Sequence, residues 1–296
     1  MIMNRKTKQF KSDKMRRYWY TFSRNPLNVV GLFIICTIIF IAIFAPYVSP
    51  YPEAAKGYFN FSEASLPPSS NHWFGTDIMG RDVMTRIFFG FRISLILGLI
   101  ILFISAPVGV LLGLIAGYFR DTWVDNLIMR ITDVFICIGA LIMAMAICSL
   151  LKPGIVSAIF AVSLVWWTIY SRLAYSSTSA LKGEFFIQSA EVIGASTFHI
   201  LFREILPNIM SSLLTKATLD MGWVILLGST LSFVGLGAQM PTPDLGTMTA
   251  EGSRYLPEQW WMFVFPATFI VIIILGFNLL GDGIHDLVGG KEGGQI

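Results

Sequence analysis

The chain has 296 residues, of which 55% are hydrophobic and only 13% are charged, and its net charge at pH 7 is +3. A soluble domain carries about 25% charged residues, so this composition excludes a typical soluble protein. The small net charge is explained by basic residues flanking apolar segments, and no nucleic-acid partner is expected.

Six runs contain no Asp, Glu, Lys or Arg: residues 25–52, 93–119, 134–151, 153–171, 221–243 and 259–281. A helix needs roughly 20 mostly apolar residues to cross the hydrocarbon core of a bilayer, and each run is close to that length or longer. Strands of a membrane barrel would alternate polar and apolar residues instead. The sequence therefore predicts an all-α integral membrane protein with six transmembrane helices.

The distribution of basic residues predicts the orientation. The segment before the first run holds eight Lys and Arg against one acid, Asp13, and such clusters stay cytoplasmic. Six crossings then place both termini in the cytoplasm. The predicted divisions are a basic N-terminal segment (1–24), a first helix with a periplasmic loop (25–91), a five-helix core (92–281) that includes a cytoplasmic loop (178–210), and a cytoplasmic tail (282–296).

The start of the chain is expected to be an uncleaved first helix, because its apolar run is too long for the core of a signal peptide. The three cysteines, Cys36, Cys137 and Cys148, all fall in apolar runs, so no disulfide framework is expected.

Outside the membrane, "GTDIMGRDVMTRIFFGFRIS" is predicted to form a short surface helix capped by Asp77. Its apolar side would carry Val83, Ile87 and Phe91, and its polar side Arg81, Asp82 and Thr85. Such a helix would lie at the membrane surface.

Within the apolar segments, small residues are expected to let helices approach closely, as at Gly98, Gly109, Gly113 and Gly117 of the second helix. Charged residues near the third and fifth helices are expected to neutralise each other within one turn. The predicted pairs are Lys216 with Asp220 and Arg130 with Asp133.

Known catalytic and cofactor-binding motifs are absent from the sequence: it contains no P-loop, G-x-G-x-x-G, H-E-x-x-H or CxxC. Ser229 follows Gly228, but no predicted span supplies a histidine base, which argues against intramembrane hydrolysis. Asp282, His285 and Asp286 could bind a cation weakly, although a helix with a polar surface is the favoured interpretation. We expect no catalytic residue, metal site or cofactor in this chain.

A half-polar stretch, "FFIQSAEVIGASTFHILFREILPN", interrupts the apolar pattern at residues 185–208. It predicts a helix to Ile193, a left-handed Gly194, a second helix capped by Ser196, and a break at Pro207. Physical chemistry alone leaves two interpretations open, a docking element that projects into the cytoplasm or a loop resting on the membrane surface.

This stretch resembles the EAA loop of permease subunits of bacterial ABC importers. In that family the loop is a coupling helix seated in a cleft of the cytoplasmic ATPase subunit. The resemblance implies that the ATPase-coupling residues are Gln188, Ser189, Ala190, Gly194, Ala195, Ser196, Arg203, Leu206 and Pro207.

Further segments are similar to the C-type permease of the dipeptide/oligopeptide/nickel group: "HWFGTDIMGRD", "LSFVGLGAQMPTPDLG" and "FNLLGDGIHDLVG". The first contains the family's periplasmic motif, which corresponds here to Gly75, Thr76, Asp77, Gly80, Arg81 and Asp82. The resemblance implies a type I ABC importer-like permease fold in the bacterial inner membrane, surrounded by lipid.

The implied partners are a second homologous permease subunit, two ATP-binding subunits that carry ATP-Mg, and a periplasmic or lipid-anchored solute-binding protein. The implied activity is import of di- or oligopeptides. Nickel or metal–chelator complexes and opine- or glutathione-like molecules are alternative cargoes for the same machinery, and a passive channel or membrane scaffold is the rival function.

Three positions depart from the family pattern. Gln188 replaces the first acid of the coupling loop, so a salt bridge to the ATPase would become a neutral hydrogen bond. Gly139 stands where related chains often have Pro, and its presence is expected to soften or remove a kink. Gly289 and Gly290 replace the usual Asp-Pro.

Overall fold

The structure is a computed structural model that describes residue 20 and residues 22–289. Within those residues the regular elements are helical, apart from one isolated antiparallel bridge between Thr76 and Asp82. The α-helices are α1 (Pro26–Val48), α2 (Val83–Tyr118), α3 (Trp123–Ile138), α4 (Ala140–Leu150), α5 (Ile155–Leu181), α6 (Phe185–Val192), α7 (Thr197–His199), α8 (Leu206–Phe233), α9 (Leu245–Ser253) and α10 (Trp261–Gly289). Two 3-10 turns, Pro52–Ala55 and Phe61–Glu63, lie between α1 and α2, and a π-helical segment, Ile200–Ile205, joins α7 to α8.

Glycines of α2 show how the helices are arranged. A Cβ atom at Gly109 would lie 2.2 Å from the carbonyl oxygen of Trp167, and one at Gly113 would lie 2.3 Å from that of Ser171. The contact partners on α5 advance along the chain as the α2 positions do, so the two helices run parallel. The predicted close approach through small residues is confirmed at these positions.

The parallel arrangement determines the path of the segment between them. Since α2 and α5 run in the same direction, the chain must recross the bundle between the end of α2 and the start of α5. The segment that does so is α3–α4, which is bent by 91° at Gly139. Five other helices are individually long and apolar enough to span a membrane, so a crossing by this bent pair brings the number of spans to the predicted six.

The expectation that glycine would soften or remove the kink in the third span is wrong. Gly139 has φ +83°, a left-handed conformation that a residue with a Cβ adopts only at a cost. It ends α3 and starts α4, so glycine produces a sharp bend by its backbone freedom where proline would act by removing a hydrogen bond.

The remaining long helices are antiparallel neighbours. A Cβ at Gly222 of α8 would lie 3.3 Å from the carbonyl oxygen of Ile274 in α10, and one at Gly31 of α1 would lie 2.6 Å from the Cβ of Leu279. Consequently the first residues of α1 and the last residues of α10 lie at the same end of the bundle. We call this the inner end, and the opposite end the outer end.

The predicted surface helix capped by Asp77 does not exist as a separate element. Asp82 caps α2 instead, accepting a hydrogen bond of 2.8 Å from the backbone N–H of Thr85. Both predicted sides are buried, because the connection from α1 folds over this turn: Arg81, Asp82 and Thr85 are as inaccessible as Val83. The predicted boundary between residues 91 and 92 therefore falls inside α2.

Pro207 does not break the chain before the fifth span. The helical path is continuous from Thr197 to Phe233. Proline has no N–H to donate to the carbonyl of Arg203, and the wider π-helical turn just before it accommodates that loss, with the Leu206 N–H donating to the carbonyl oxygen of Leu201. The half-polar stretch is thus built directly onto α8.

Candidate functional site

The predicted helix–glycine–helix element forms at the inner end, and we call residues 185–205 the inner element. Its first helix is α6, and Gly194 follows with φ +87°. The Ser196 side chain caps α7, accepting a hydrogen bond of 3.3 Å from the backbone N–H of His199. These local predictions are confirmed, and the pieces are fixed in one compact turn by the hydrogen bond from the Ala195 N–H to the carbonyl of Ala190.

The inner element is attached to the ends of α2 and α5. Tyr118, the last residue of α2, donates its hydroxyl to Glu191 of α6 at 3.0 Å, and Lys182 donates to the carbonyl oxygen of Tyr118 at 2.6 Å. Ile187 is completely buried and belongs to the same apolar core as Ile205. A displacement of α6 would therefore be transmitted to three membrane helices.

Apolar side chains of the inner element face away from the bundle. Phe185, Val192 and Ile193 are between 84% and 88% exposed, and Phe198 is 70% exposed. Large apolar groups grouped on one projecting surface are typical of a protein or membrane contact.

The predicted coupling residues fall into two sets by exposure. Gln188, Ser189, Gly194, Ser196, Arg203 and Pro207 are exposed, whereas Ala190, Ala195 and Leu206 are partly covered. The side-chain amide of Gln188 donates to the carbonyl of Gly183 at 3.0 Å, so its hydrogen-bonding capacity is partly used within the chain.

At the outer end, the predicted periplasmic motif encloses a buried ionic cluster. One carboxylate oxygen of Asp77 accepts from Arg81 Nε at 2.7 Å and from Arg86 Nη1 at 2.6 Å. The other accepts from the backbone N–H groups of Met79 and Arg81, each at 2.9 Å. Both arginines are at most 1% exposed, which is tolerable only because they are paired.

Glu251 of α9 completes this cluster and was not identified from the sequence. Its Oε2 lies 3.5 Å from Arg86 Nη1 and 3.8 Å from Arg81 Nη2. It is 165 residues away from Arg86 in the chain, and no local pattern marks it. The cluster therefore connects the start of α2 with α9.

The glycines of the same motif allow the loop to fold tightly. A Cβ at Gly80 would lie 1.8 Å from the carbonyl oxygen of Asn60, and one at Gly75 would lie 2.6 Å from that of Leu66. Both glycines have positive φ. Trp261 packs against the same loop: it is buried and donates its indole N–H to the carbonyl of Thr76 at 3.1 Å.

His72 extends the polar cluster and was also missed. Its Nδ1 lies 3.0 Å from Asp82 and its Nε2 lies 3.8 Å from Glu63. Across the residues that the structure describes, no group of three or more His, Cys, Asp or Glu is arranged to hold a metal ion. Asp282, His285 and Asp286 lie in the last turns of α10 with exposed side chains.

Of the two predicted intramembrane ion pairs, one is confirmed. Lys216 Nζ lies 2.7 Å from Asp220, which is buried and also accepts from the Trp166 indole at 3.3 Å. The Arg130–Asp133 prediction is wrong, because Asp133 pairs with Arg172 of α5 instead. The partner lies on a neighbouring helix, which spacing within one helix does not reveal.

Comparisons with known proteins give a consistent result. Residues 109–291 match the family described as binding-protein-dependent transport system inner membrane component, and residues 14–68 match the N-terminal TM domain of oligopeptide transport permease C. The first match alone covers more than half of the chain.

Individual relatives cover nearly the whole chain. The chain is 39% identical to the dipeptide transport system permease protein DppC of Alkalihalophilus pseudofirmus, over 93% of this chain and 90% of the relative. It is 40% identical to the glutathione transport system permease protein GsiD of Escherichia coli O6:K15:H31, over 95% and 93%. It is 35% identical to a protein of Escherichia coli K12 named Probable D,D-dipeptide transport system permease protein DdpC, over 100% and 99%.

Proposed function

The chain belongs to the family of binding-protein-dependent transport system inner membrane components and is a permease subunit of an ABC importer, and we propose that its cargo is di- and oligopeptides. It is a multi-pass inner membrane protein and not itself an enzyme. The observation that supports this cargo is that relatives of the chain are named as transport permeases for dipeptides, D,D-dipeptides and glutathione. All three contain amino acids joined by amide bonds.

A permease of this family works with a permease partner, ATPases and a binding protein. For this chain we propose one second, homologous permease, two ATP-binding subunits and a periplasmic or lipid-anchored solute-binding protein. ATP-Mg would bind to the ATPase subunits, and this chain would bind no cofactor. We also propose that the inner end faces the cytoplasm, because the basic N-terminal segment directly precedes α1.

The inner element is proposed to be the ATPase contact. Its exposed Phe185, Val192, Ile193 and Phe198 supply apolar surface for a cleft in the partner, and Gly194 keeps the two helices in a tight turn. For ATP to drive transport, this contact must differ in free energy between the ATP-closed and open states. Attachment through Tyr118, Lys182 and Ile187 would transmit the difference to the membrane helices.

The cargo proposal is tested by uptake in membrane vesicles that contain the complete importer. A radiolabelled dipeptide should accumulate in an ATP-dependent manner, and unlabelled dipeptides should compete. Accumulation of nickel–chelator complexes or an opine, with no competition by peptides, would assign the importer to one of the alternative cargoes.

The coupling proposal is tested by Gly194→Trp. The position is open, because a Cβ atom added there would meet no atom within 4 Å, so the indole would project into the contact surface while its left-handed backbone is strained. We expect the variant to remain in the membrane, to lose the ATPase subunits on purification and to lose peptide uptake. Gly235→Trp is the matched control, because Gly235 is equally open and has φ +90° but lies at the outer end. Normal uptake by Gly194→Trp would contradict the docking role.

A further inference from the structure

Helix α3 has two exposed faces of opposite character. One carries Leu127, Ile131, Val134 and Ile138, spaced by four, three and four residues, and between 43% and 58% exposed. The other carries Asn126, Arg130, Asp133 and Cys137 at the same spacing, offset by one residue. At 100° per residue the two stripes lie about 100° apart around the helix. The apolar stripe suits lipid, and the polar stripe requires another environment.

The ion pair at the polar stripe strengthens this argument. Asp133 is ten residues into α3, and Arg172 is nine residues before the end of α5, so each lies about 14–15 Å from the inner end of its helix. Both residues directly adjoin the uncharged runs 134–151 and 153–171. Yet the side chains of Asp133 and Arg172 are 42% and 57% exposed. Exposed charges beside apolar segments face water or protein rather than lipid tails.

The bend between α3 and α4 points to the same side. Irregular backbone within a membrane occurs where it is buried in protein or lines a water-filled cavity. Gly139 has open space beside it, since a Cβ built there would meet no atom within 4 Å, and Cys137 just before it is exposed. The polar stripe therefore ends at the break between α3 and α4, where the space beside Gly139 is open.

Together with Arg172 of α5, the polar stripe carries a surplus positive charge. Asp133 is paired with Arg172, whereas Arg130 is exposed and forms no ion pair with any residue that the structure describes. A peptide with free termini offers an ammonium group and a carboxylate. The pair and the additional guanidinium together provide an acceptor for the first and donors for the second.

We propose that Asn126, Arg130, Asp133 and Cys137 of α3, with Arg172 of α5, form this subunit's wall of the water-filled solute path, and that Arg130 contacts the carboxylate of a passing peptide. The carboxylate contact rests on the proposed function, because it assumes peptide cargo. The water-filled wall depends only on the chain being a permease.

The proposal that this surface faces a water-filled path is tested with the native cysteines, without any substitution. The complete importer in lipid nanodiscs is treated with a positively charged methanethiosulfonate reagent, which forms a mixed disulfide with a hydrated thiolate and releases methanesulfinate. Peptide mapping by mass spectrometry then follows each cysteine. We expect Cys137 to react at least about tenfold faster than Cys36, which is exposed between Phe33 and Phe40, and than the buried Cys148.

A second, uncharged reagent, N-ethylmaleimide, distinguishes the alternatives. Reaction of Cys137 with N-ethylmaleimide but not with the charged reagent would place the stripe against lipid. Reaction with neither would place it in a protein interface. Either result overturns the proposal.

The carboxylate contact is tested by Arg130→Gln, with Lys152→Gln at the outer end as the control. Uptake of a dipeptide is compared with uptake of its C-terminal amide, using the same binding protein throughout, so that any change in the ratio arises in the permease. We expect Arg130→Gln to reduce the preference for the carboxylate at least about threefold and Lys152→Gln to leave it unchanged. An unchanged ratio in both variants would overturn the contact. If no peptide is transported at all while Cys137 still reacts with the charged reagent, the cargo proposal fails and the wall stands.

Discussion

Asp77 is the acceptor on which the outer ionic cluster depends. Its carboxylate binds both buried arginines, and Glu251 lies farther from them. Asp77→Ala would leave two buried guanidinium groups with one distant counter-charge. Because removing one partner of a buried pair costs about 3–5 kcal/mol, we expect a thermal unfolding temperature several degrees lower for the purified chain in detergent.

The control for Asp77 is an exposed ion pair in the same connection. Glu53 and Lys56 lie 3.6 Å apart, with side chains 70% and 68% exposed. Exposed pairs contribute about 0–1 kcal/mol, so Glu53→Ala should change the unfolding temperature little. Equal effects of the two substitutions would show that the outer cluster contributes no more than a surface pair.

Asp244 gives the stability of the chain a predictable dependence on pH. It caps α9, its Oδ2 accepting from the Thr247 N–H at 3.0 Å, and burial raises the pKa of its carboxyl above the ordinary 3.8 although hydrogen bonds from Thr247 oppose the shift. The folded state therefore retains a proton that the unfolded state has released. This contribution is fully present below about pH 3.8 and is lost as the pH rises through the raised pKa.

Asp244→Asn keeps a cap acceptor but cannot ionise, so it should remove this dependence. Unfolding temperatures of parent and variant are compared between pH 4 and pH 8. We expect the parent to lose stability relative to the variant as the pH rises, and Glu258→Gln, at an exposed position, to behave as the parent does. A constant difference between parent and Asp244→Asn across this range would show that the carboxyl does not titrate there.

At the scale of the helices, the α2–α5 contact depends on missing side chains. At Gly113 a Cβ would lie 2.3 Å from the carbonyl oxygen of Ser171, and backbone cannot move aside as a flexible side chain can. Gly113→Ala should therefore push the helices apart and destabilise the chain by about 1–3 kcal/mol. Gly154→Ala, where no atom lies within 4 Å, is the matched control. The unfolding temperature checks both, and a neutral Gly113→Ala would mean that the two helices can separate without loss.

The sequence predicted the membrane helices well but misplaced several of their ends. Uncharged runs locate apolar segments, because lipid excludes unpaired charge. The same rule placed the start of the second helix at residue 93, although α2 begins at Val83. Arg81 and Arg86 are nevertheless buried, because they pair with Asp77 and lie near Glu251, and a rule based on uncharged runs does not take such pairs into account. Likewise, α8 extends through Lys216 and Asp220, which neutralise each other.

Prediction of the sites succeeded where the signal was local. Gly194, Ser196 and their helices are neighbours in sequence, so turn chemistry was sufficient to predict them. The partners of Arg86 and Asp133 are distant in sequence, and they depend on which helices lie side by side. Glu251 was therefore missed, and Arg130 was assigned a partner that belongs to Arg172.

At the scale of the whole molecule, α2 connects the two ends. It has 36 residues and is about 54 Å long. Asp82 at its start is next to the outer ionic cluster, and Tyr118 at its end binds the inner element through Glu191. A movement imposed on the inner element would therefore reach the outer cluster along one continuous helix.

The bent pair α3–α4 makes the membrane topology testable. If the pair crosses the membrane, the chain makes six crossings and both ends lie on the same side; if it only enters and returns, the chain makes five and the ends lie on opposite sides. The parallel packing of α2 and α5, seen at Gly109 and Gly113, requires the crossing. We expect green fluorescent protein fused at either end to fluoresce, as it does in the cytoplasm, and alkaline phosphatase inserted at Gly154 to be active, as it is outside. Fluorescence at one end only would mean that α3–α4 is re-entrant, and the parallel packing of α2 and α5 would then be wrong.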